Sequence, residues 1–175
     1  MDEEELFISK KEYDKQIVQN NRKINKFRKK FSRGLKKEIK INQDSKEYDF
    51  KVIDDETWLF TFVPKQGLFK NQKHQVKMKL IYGQPPYKQL YPLNAPLCSY
   101  ITPVWHPNIS LKGTICLDTL KEKWSPCMKT ANVIQAIQVL LDNPDPSSPM
   151  NAEAAKMGED EYAKKVIEHY IRGPN

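Results

Sequence analysis

Between Gln84 and Pro126 the sequence holds seven prolines and no sustained apolar period, and no other feature narrows the possible folds as much. Proline fixes φ and lacks a backbone donor, so neither a helix interior nor a central strand runs through such a stretch. The same stretch carries Trp105, Ile109, Ile115, Leu117 and Trp124, more apolar anchors than a disordered linker keeps. A loop this long inside a compact domain is expected to serve a function. The fold must therefore pack a large irregular segment between its regular elements.

Those elements are legible on either side. Before the loop, apolar residues alternate at Tyr48, Phe50 and Val52, at Trp58, Phe60 and Phe62, and at Val76, Met78, Leu80 and Tyr82. Period two predicts strands with one buried face. The turns Asp54-Asp55-Glu56 and Lys65-Gln66-Gly67 make them an antiparallel meander, and a fourth strand is expected over Leu97–Ile101. Further upstream, Ser9-Lys10-Lys11-Glu12 has the form of a capping box. Tyr13, Ile17, Ile24, Phe27, Phe31 and Leu35 then keep helical spacing, predicting an amphipathic helix within about 9–38, with Gly34 weakening its far end. After the loop, Val133, Ile137, Leu140 and Leu141 mark a helix from Thr130 that stops at Asn143-Pro144. Two more helices are expected over Asn151–Met157 and Glu159–Ile171, the last with acids in its first turn and Arg172 at its end. The expected class is α+β: an N-terminal helix, a four-stranded antiparallel meander, an irregular loop, then C-terminal helices.

Charge is unevenly placed. Residues 10–40 hold thirteen Lys and Arg against three acids, residues 1–9 hold four acids and no base, and the rest is close to neutral within a net +7. A positive excess confined to one segment points to a local docking face; with little aromatic interleaving there, it argues against nucleic acid as a partner. No run approaches the ~20 apolar residues of a membrane span, and the acidic start MDEEELFISKK does not resemble a secretory signal. The expected location is cytoplasmic, nuclear or both, with no membrane partner. Cys98, Cys116 and Cys127 form no CxxC pair, so no metal site is expected. Each cysteine is then either a small buried residue or a reactive thiol.

The loop settles which thiol is singled out. The run WHPNISLKGTICLDTLKEKWSP closely resembles the catalytic segment of ubiquitin-conjugating enzymes. Tyr91-Pro92 and Pro96 resemble that family's YPxxPP signature, with Ala95 replacing the first of the paired prolines. Pro144, Pro146 and Pro149 fall where the family has its PxPxxP turn. The resemblance covers about residues 20–172 and is strongest over 91–150. It implies an extension over 1–20 and a catalytic core over 21–175.

The resemblance implies that Cys116 carries ubiquitin or a ubiquitin-like protein as a thioester, and the chemistry suits the residue. Acyl transfer through a thioester needs a group that attacks and later leaves, and a thiolate does both. Asn108 matches the family residue that stabilises the oxyanion, although an Asn in a turn also braces backbone. Ser148 matches a position near the thioester, usually Ser or Asp, that orients an incoming lysine; its alternative is a helix-start or turn residue. Asp118, two residues beyond Cys116, is expected to cap loop backbone more than to act as a base. His106 and Pro107 belong to the HPN loop, where His106 resembles a structural residue, not half of a Cys/His dyad. Trp105 and Trp124 are expected to brace the loop.

The partners implied are the modifier, an activating enzyme and a RING-type ligase. Leu93, Pro126 and Cys127 match the family's ligase-binding loops, with Leu93 for the common Phe and Cys127 for the common Ala. The basic helix, through Arg22, Lys23, Lys26 and Lys30, matches the docking surface for the activating enzyme. No cofactor is implied, because ATP is used by the activating enzyme. The segment Ile81–Leu90 is longer than the family's usual link. Leu6-Phe7-Ile8 in the extension, Gly67-Leu68-Phe69-Lys70 and the ending NAEAAKM…YIRG look more like the branch serving the Nedd-type modifier. The modifier thus stays open between ubiquitin and the Nedd-type protein.

Overall fold

The computed structural model describes residues 32–81, 91–115 and 124–172. Residues up to Lys40 fall in one compact unit and Ile41–Asn175 in a second. Helix α1 covers 32–43 among the described residues; the part expected over Tyr13 to Phe31 lies outside them. The helix passes through Gly34 and runs beyond its expected end near 38. A Cβ on Gly34 would meet nothing within 4 Å, so that residue costs the helix only its propensity. The last turn persists for a tertiary reason: Asn42 is 1% exposed and bonds Tyr48 and Thr130, far along the chain.

Four strands follow: β1 (Asp49–Val52), β2 (Thr57–Phe62), β3 (His74–Lys79) and β4 (Leu97–Tyr100). They form one sheet in the order β1-β2-β3-β4, each pair antiparallel, which is the expected meander. Register places Trp58 opposite Met78 and Phe60 opposite Val76, all four fully buried. Burying each such side chain contributes about 1.5–3 kcal/mol before entropic costs. β1 departs from strict alternation: Phe50 packs edge-on to Trp58, but Val52 and the following Ile53 are exposed. As the sheet's edge, β1 has a neighbour on one side only. Asp54 makes the first turn by accepting the Glu56 and Thr57 amides at 2.9 and 2.8 Å, a turn built by one short carboxylate.

Beyond the loop lie α2 (Thr130–Asp142), α3 (Ala152–Lys156) and α4 (Glu159–Arg172). The buried stripe of α2 is Thr130, Val133, Ile134, Ile137 and Leu141. Ile134 joins it, and Leu140 turns partly to the surface. Asn151 caps α3, its side chain accepting the Ala154 amide at 3.2 Å. Among the described residues no helix is long and apolar enough to cross a membrane.

Candidate active site

The loop leaving β4 doubles back along it. Tyr100 donates to the Gly113 carbonyl at 2.8 Å, and isolated bridges join Ser99 to Thr114 and Ile109 to Ile115. Gly113 has φ +79°, and a Cβ there would lie 2.0 Å from the Tyr100 carbonyl oxygen. Only glycine permits this approach. Ile115, the residue before Cys116, is buried.

Four consecutive residues, Trp105 to Asn108, are each tied to another part of the chain. The Trp105 carbonyl accepts from the Tyr162 hydroxyl at 3.3 Å, on α4. His106 is fully buried; its Nδ1 accepts the Asn108 amide at 3.0 Å, so Nε2 carries the proton and donates to the Leu140 carbonyl at 3.1 Å. That carbonyl lies in the last turn of α2, where helix acceptors lack intrahelical donors. The Pro107 carbonyl accepts the Met150 and Asn151 amides at 2.8 and 2.9 Å. Asn108 Oδ1 accepts the Asp145 amide at 2.8 Å, and Nδ2 donates to the Asp145 and Ser148 carbonyls.

These bonds assign His106. Burial pushes its pKa down to about 4, against the Leu140 and Leu141 backbone interactions that act the other way. It is a neutral imidazole with both nitrogens engaged in hydrogen bonds to backbone. Asn108 is 2% exposed, and both N–H groups of its amide are committed to carbonyls. In this geometry the side chain is bonded to the backbone of residues 145 and 148. Donation to an oxyanion would require one of those carbonyls to be released.

Asp145 belongs to this constellation, and the sequence reading passed over it. Its backbone meets Asn108 at both N–H and C=O, while its carboxylate accepts from the Ser147 amide and hydroxyl at 2.9 and 2.6 Å. The two Ser147 bonds hold that carboxyl below its ordinary range. The available signal was the order Asp145-Pro146-Ser147, the pattern of an Asx turn. Ser148 is exposed in a bend, three residues before Asn151, the α3 cap.

The two loops expected to bind a ligase are joined. Trp124 Nε1 donates to the Pro92 carbonyl at 2.9 Å, and its ring lies 5.8 Å from that of Tyr91, which precedes Pro92 through a cis peptide. Leu93 is 62% exposed, and Pro126 and Cys127 are exposed as well. Trp124 thus braces the loop as expected. Trp105 is buried, with the Lys165 ammonium 5.3 Å from its ring centroid. Tyr91 also donates to the Ile81 carbonyl at 2.6 Å, tying together the ends of the long link, whose residues 82–90 lie outside the described set. Cys98 keeps some surface, but it pairs opposite the buried Met78, and burial pushes its thiol up to about 12. That shift favours the protonated thiol at neutral pH. Cys116, Asp118, Arg22, Lys23, Lys26 and Lys30 lie outside the described residues. Among the described residues no group of three or more His, Cys, Asp or Glu could hold a metal ion.

Comparison with known proteins agrees with this architecture. The sequence matches the ubiquitin-conjugating enzyme family over residues 34–170. It is 46% identical over 81 residues to ubiquitin-conjugating enzyme E2 3 of Arabidopsis thaliana, covering 45% of this chain and 54% of the relative. It is 33% identical over 114 residues to ubiquitin-conjugating enzyme E2 1 of Caenorhabditis elegans, covering 63% and 56%. The chain thus matches about half the length of these curated relatives. Among solved structures, the E2 domain of a Toxoplasma gondii ubiquitin conjugating enzyme superposes with TM-score 0.67 at 28% identity, covering 77% of this chain and 92% of that one. Saccharomyces cerevisiae Ubc12 superposes with TM-score 0.69 over 87% and 89%; at 24% identity it shows the shared fold alone.

Proposed function

The chain belongs to the ubiquitin-conjugating enzyme family, and from that membership we propose that it carries ubiquitin or a ubiquitin-like protein as a thioester on Cys116. The supporting observation is the braced His106-Pro107-Asn108 loop, tied to α2 and to residues 145–151 and leading through buried Ile115 to Cys116. Residues 21–175 form the conjugating domain and 1–20 an extension to it.

In the first step the Cys116 thiolate attacks the modifier's C-terminal carbonyl on the activating enzyme. A tetrahedral oxyanion forms and collapses, expelling the activating enzyme's thiolate. In the second step a substrate lysine attacks the new thioester, loses a proton and forms an isopeptide bond as the Cys116 thiolate leaves. Asn108 holds the loop at rest and stabilises the oxyanion when one Nδ2 hydrogen turns from its carbonyl. Ser148, exposed on the segment that Asn108 grips, orients the lysine, and Asp118 caps loop backbone. Leu93, Pro126 and Cys127 present the surface for a RING-type ligase, and Arg22, Lys23, Lys26 and Lys30 that for the activating enzyme. The reaction takes place in the cytoplasm or nucleus, with ATP consumed by the activating enzyme and no cofactor on this chain.

Charging assays test the reading. The protein is incubated with ATP and either ubiquitin or the Nedd-type modifier, each with its matching activating enzyme. One pairing should give a thiol-sensitive adduct, which identifies the modifier. Cys116→Ala should abolish the adduct, and Cys98→Ala and Cys127→Ala should retain it. A thiol-sensitive adduct on the Cys116→Ala protein would overturn the assignment.

A further inference from the structure

The start of α2 is weakly specified by its own sequence. Its N-cap is Lys129, with no side-chain acceptor for the first helical amides, and no acid stands in the first turn. Ser, Thr, Asp or Asn would normally supply that acceptor. Locally, Asn132 Oδ1 reaches back to the Lys129 amide at 2.8 Å. A second restraint comes from far away: Asn42 Nδ2 donates to Thr130 Oγ1 at 2.9 Å, across 88 positions of sequence. Asn42 Oδ1 in turn accepts from the Tyr48 hydroxyl at 2.7 Å. Asn42, Thr130 and Tyr48 are 1%, 0% and 8% exposed, so these bonds are shielded from competing water.

Thr130 is also where residues 124–129 end. That loop is held at its other end by Trp124, through the Pro92 carbonyl, and internally by the Met128 amide on the Ser125 carbonyl. Its exposed crown is Pro126 and Cys127. We infer that Asn42 is a positioning residue: by holding Thr130 it fixes the loop that presents Pro126 and Cys127, and so sets affinity for the ligase. The inference rests on the proposed function for its ligase reading; the restraint on the loop is independent of it.

Three single-atom or small changes separate positioning from general stability. Thr130→Val removes the hydroxyl that Asn42 grips, and Asn42→Ala removes the grip itself. Tyr48→Phe deletes a neighbouring buried bond of the same network and leaves Asn42 on Thr130. Hydrogen exchange over 124–129 should speed up roughly five- to ten-fold in the first two variants, the scale of one lost hydrogen bond, and stay near the parent rate in Tyr48→Phe. Thr130→Ser should restore it. In ligase-stimulated discharge of the charged protein, the first two should raise the KM for ligase by a similar factor, with charging and ligase-free discharge unchanged. Equal exchange in all variants would overturn the restraint. Faster exchange with unchanged KM would overturn the link to ligase. A parent protein that exchanges as expected but never charges would instead refute the proposed function.

Discussion

The sheet and the HPN loop are adjoining parts of one unit, yet they are held by different forces. In β2 and β3 the core positions Trp58, Phe60, Val76 and Met78 bury apolar surface against many neighbours, and such contacts are individually small and non-directional. In the loop, one residue at a time holds one connection: His106 to Leu140, Pro107 to Met150 and Asn151, Asn108 to Asp145 and Ser148. A packed face tolerates substitution of similar volume. A buried polar brace does not, because each lost partner leaves another group unsatisfied.

The largest effect should come from the loop's tightest point. Gly113→Ala would place a Cβ 2.0 Å from the Tyr100 carbonyl at a positive φ. A loss of roughly 3–5 kcal/mol is expected in denaturant unfolding, with charging impaired through displacement of the segment leading to Cys116. Unchanged stability would mean that the loop and β4 separate at little cost, which would break the contrast.

Asn108→Ala should cost about 2–4 kcal/mol, since it strips three hydrogen bonds from a buried site. Its kinetics sharpen the point. At a temperature where the variant remains folded, discharge to lysine should still fall roughly 10²-fold, the scale of one lost oxyanion donor. Normal discharge under those conditions would confine Asn108 to bracing.

The two buried histidines offer a matched pair. Burial pushes both His74, in β3, and His106, in the loop, down to about 4. Between about pH 6.5 and 4 each takes up a proton in the unfolded chain but not in the folded one. Stability should therefore be full above that window and fall as pH drops through it, by up to about 1.4 kcal/mol per pH unit for each histidine. His74 sits among the rings of Phe62, Phe69 and Tyr100 at 5.7–5.8 Å, and its nitrogens make no well-formed hydrogen bond. His74→Phe should reduce the pH slope with little loss at pH 7.5, whereas His106→Phe should reduce it at a cost of about 2–3 kcal/mol. Unfolding curves at pH 7.5 and 5.5 decide; equal cost at the two sites would erase the distinction. The smallest effect belongs to the sheet itself: Met78→Leu should shift stability by less than about 1.5 kcal/mol, and a larger loss would show that the face is as exacting as the loop.

Much of this was legible because it is local. Period two located β2 and β3, and the strict sequence of Asp54 to Thr57 matched a turn that one carboxylate closes. The edge strand was read less well, since alternation alone cannot say which strand lacks a neighbour, and Val52 and Ile53 are exposed for that reason. Asp145 was overlooked because its partner, Asn108, is 37 positions away.

By itself the sequence determined the central strands, the helices after the loop and the presence of the HPN motif, because periodicity and turn chemistry act over a few residues. Tertiary structure decided that α1 persists to residue 43, that Asn42 reaches Thr130, and that the Asn108 amide spends both its hydrogens on the segment at 145–148. Those outcomes depend on which buried donor meets which acceptor once the core has closed. No local spacing records that pairing, because a hydrogen bond between distant residues is fixed only by the packing that brings them within reach.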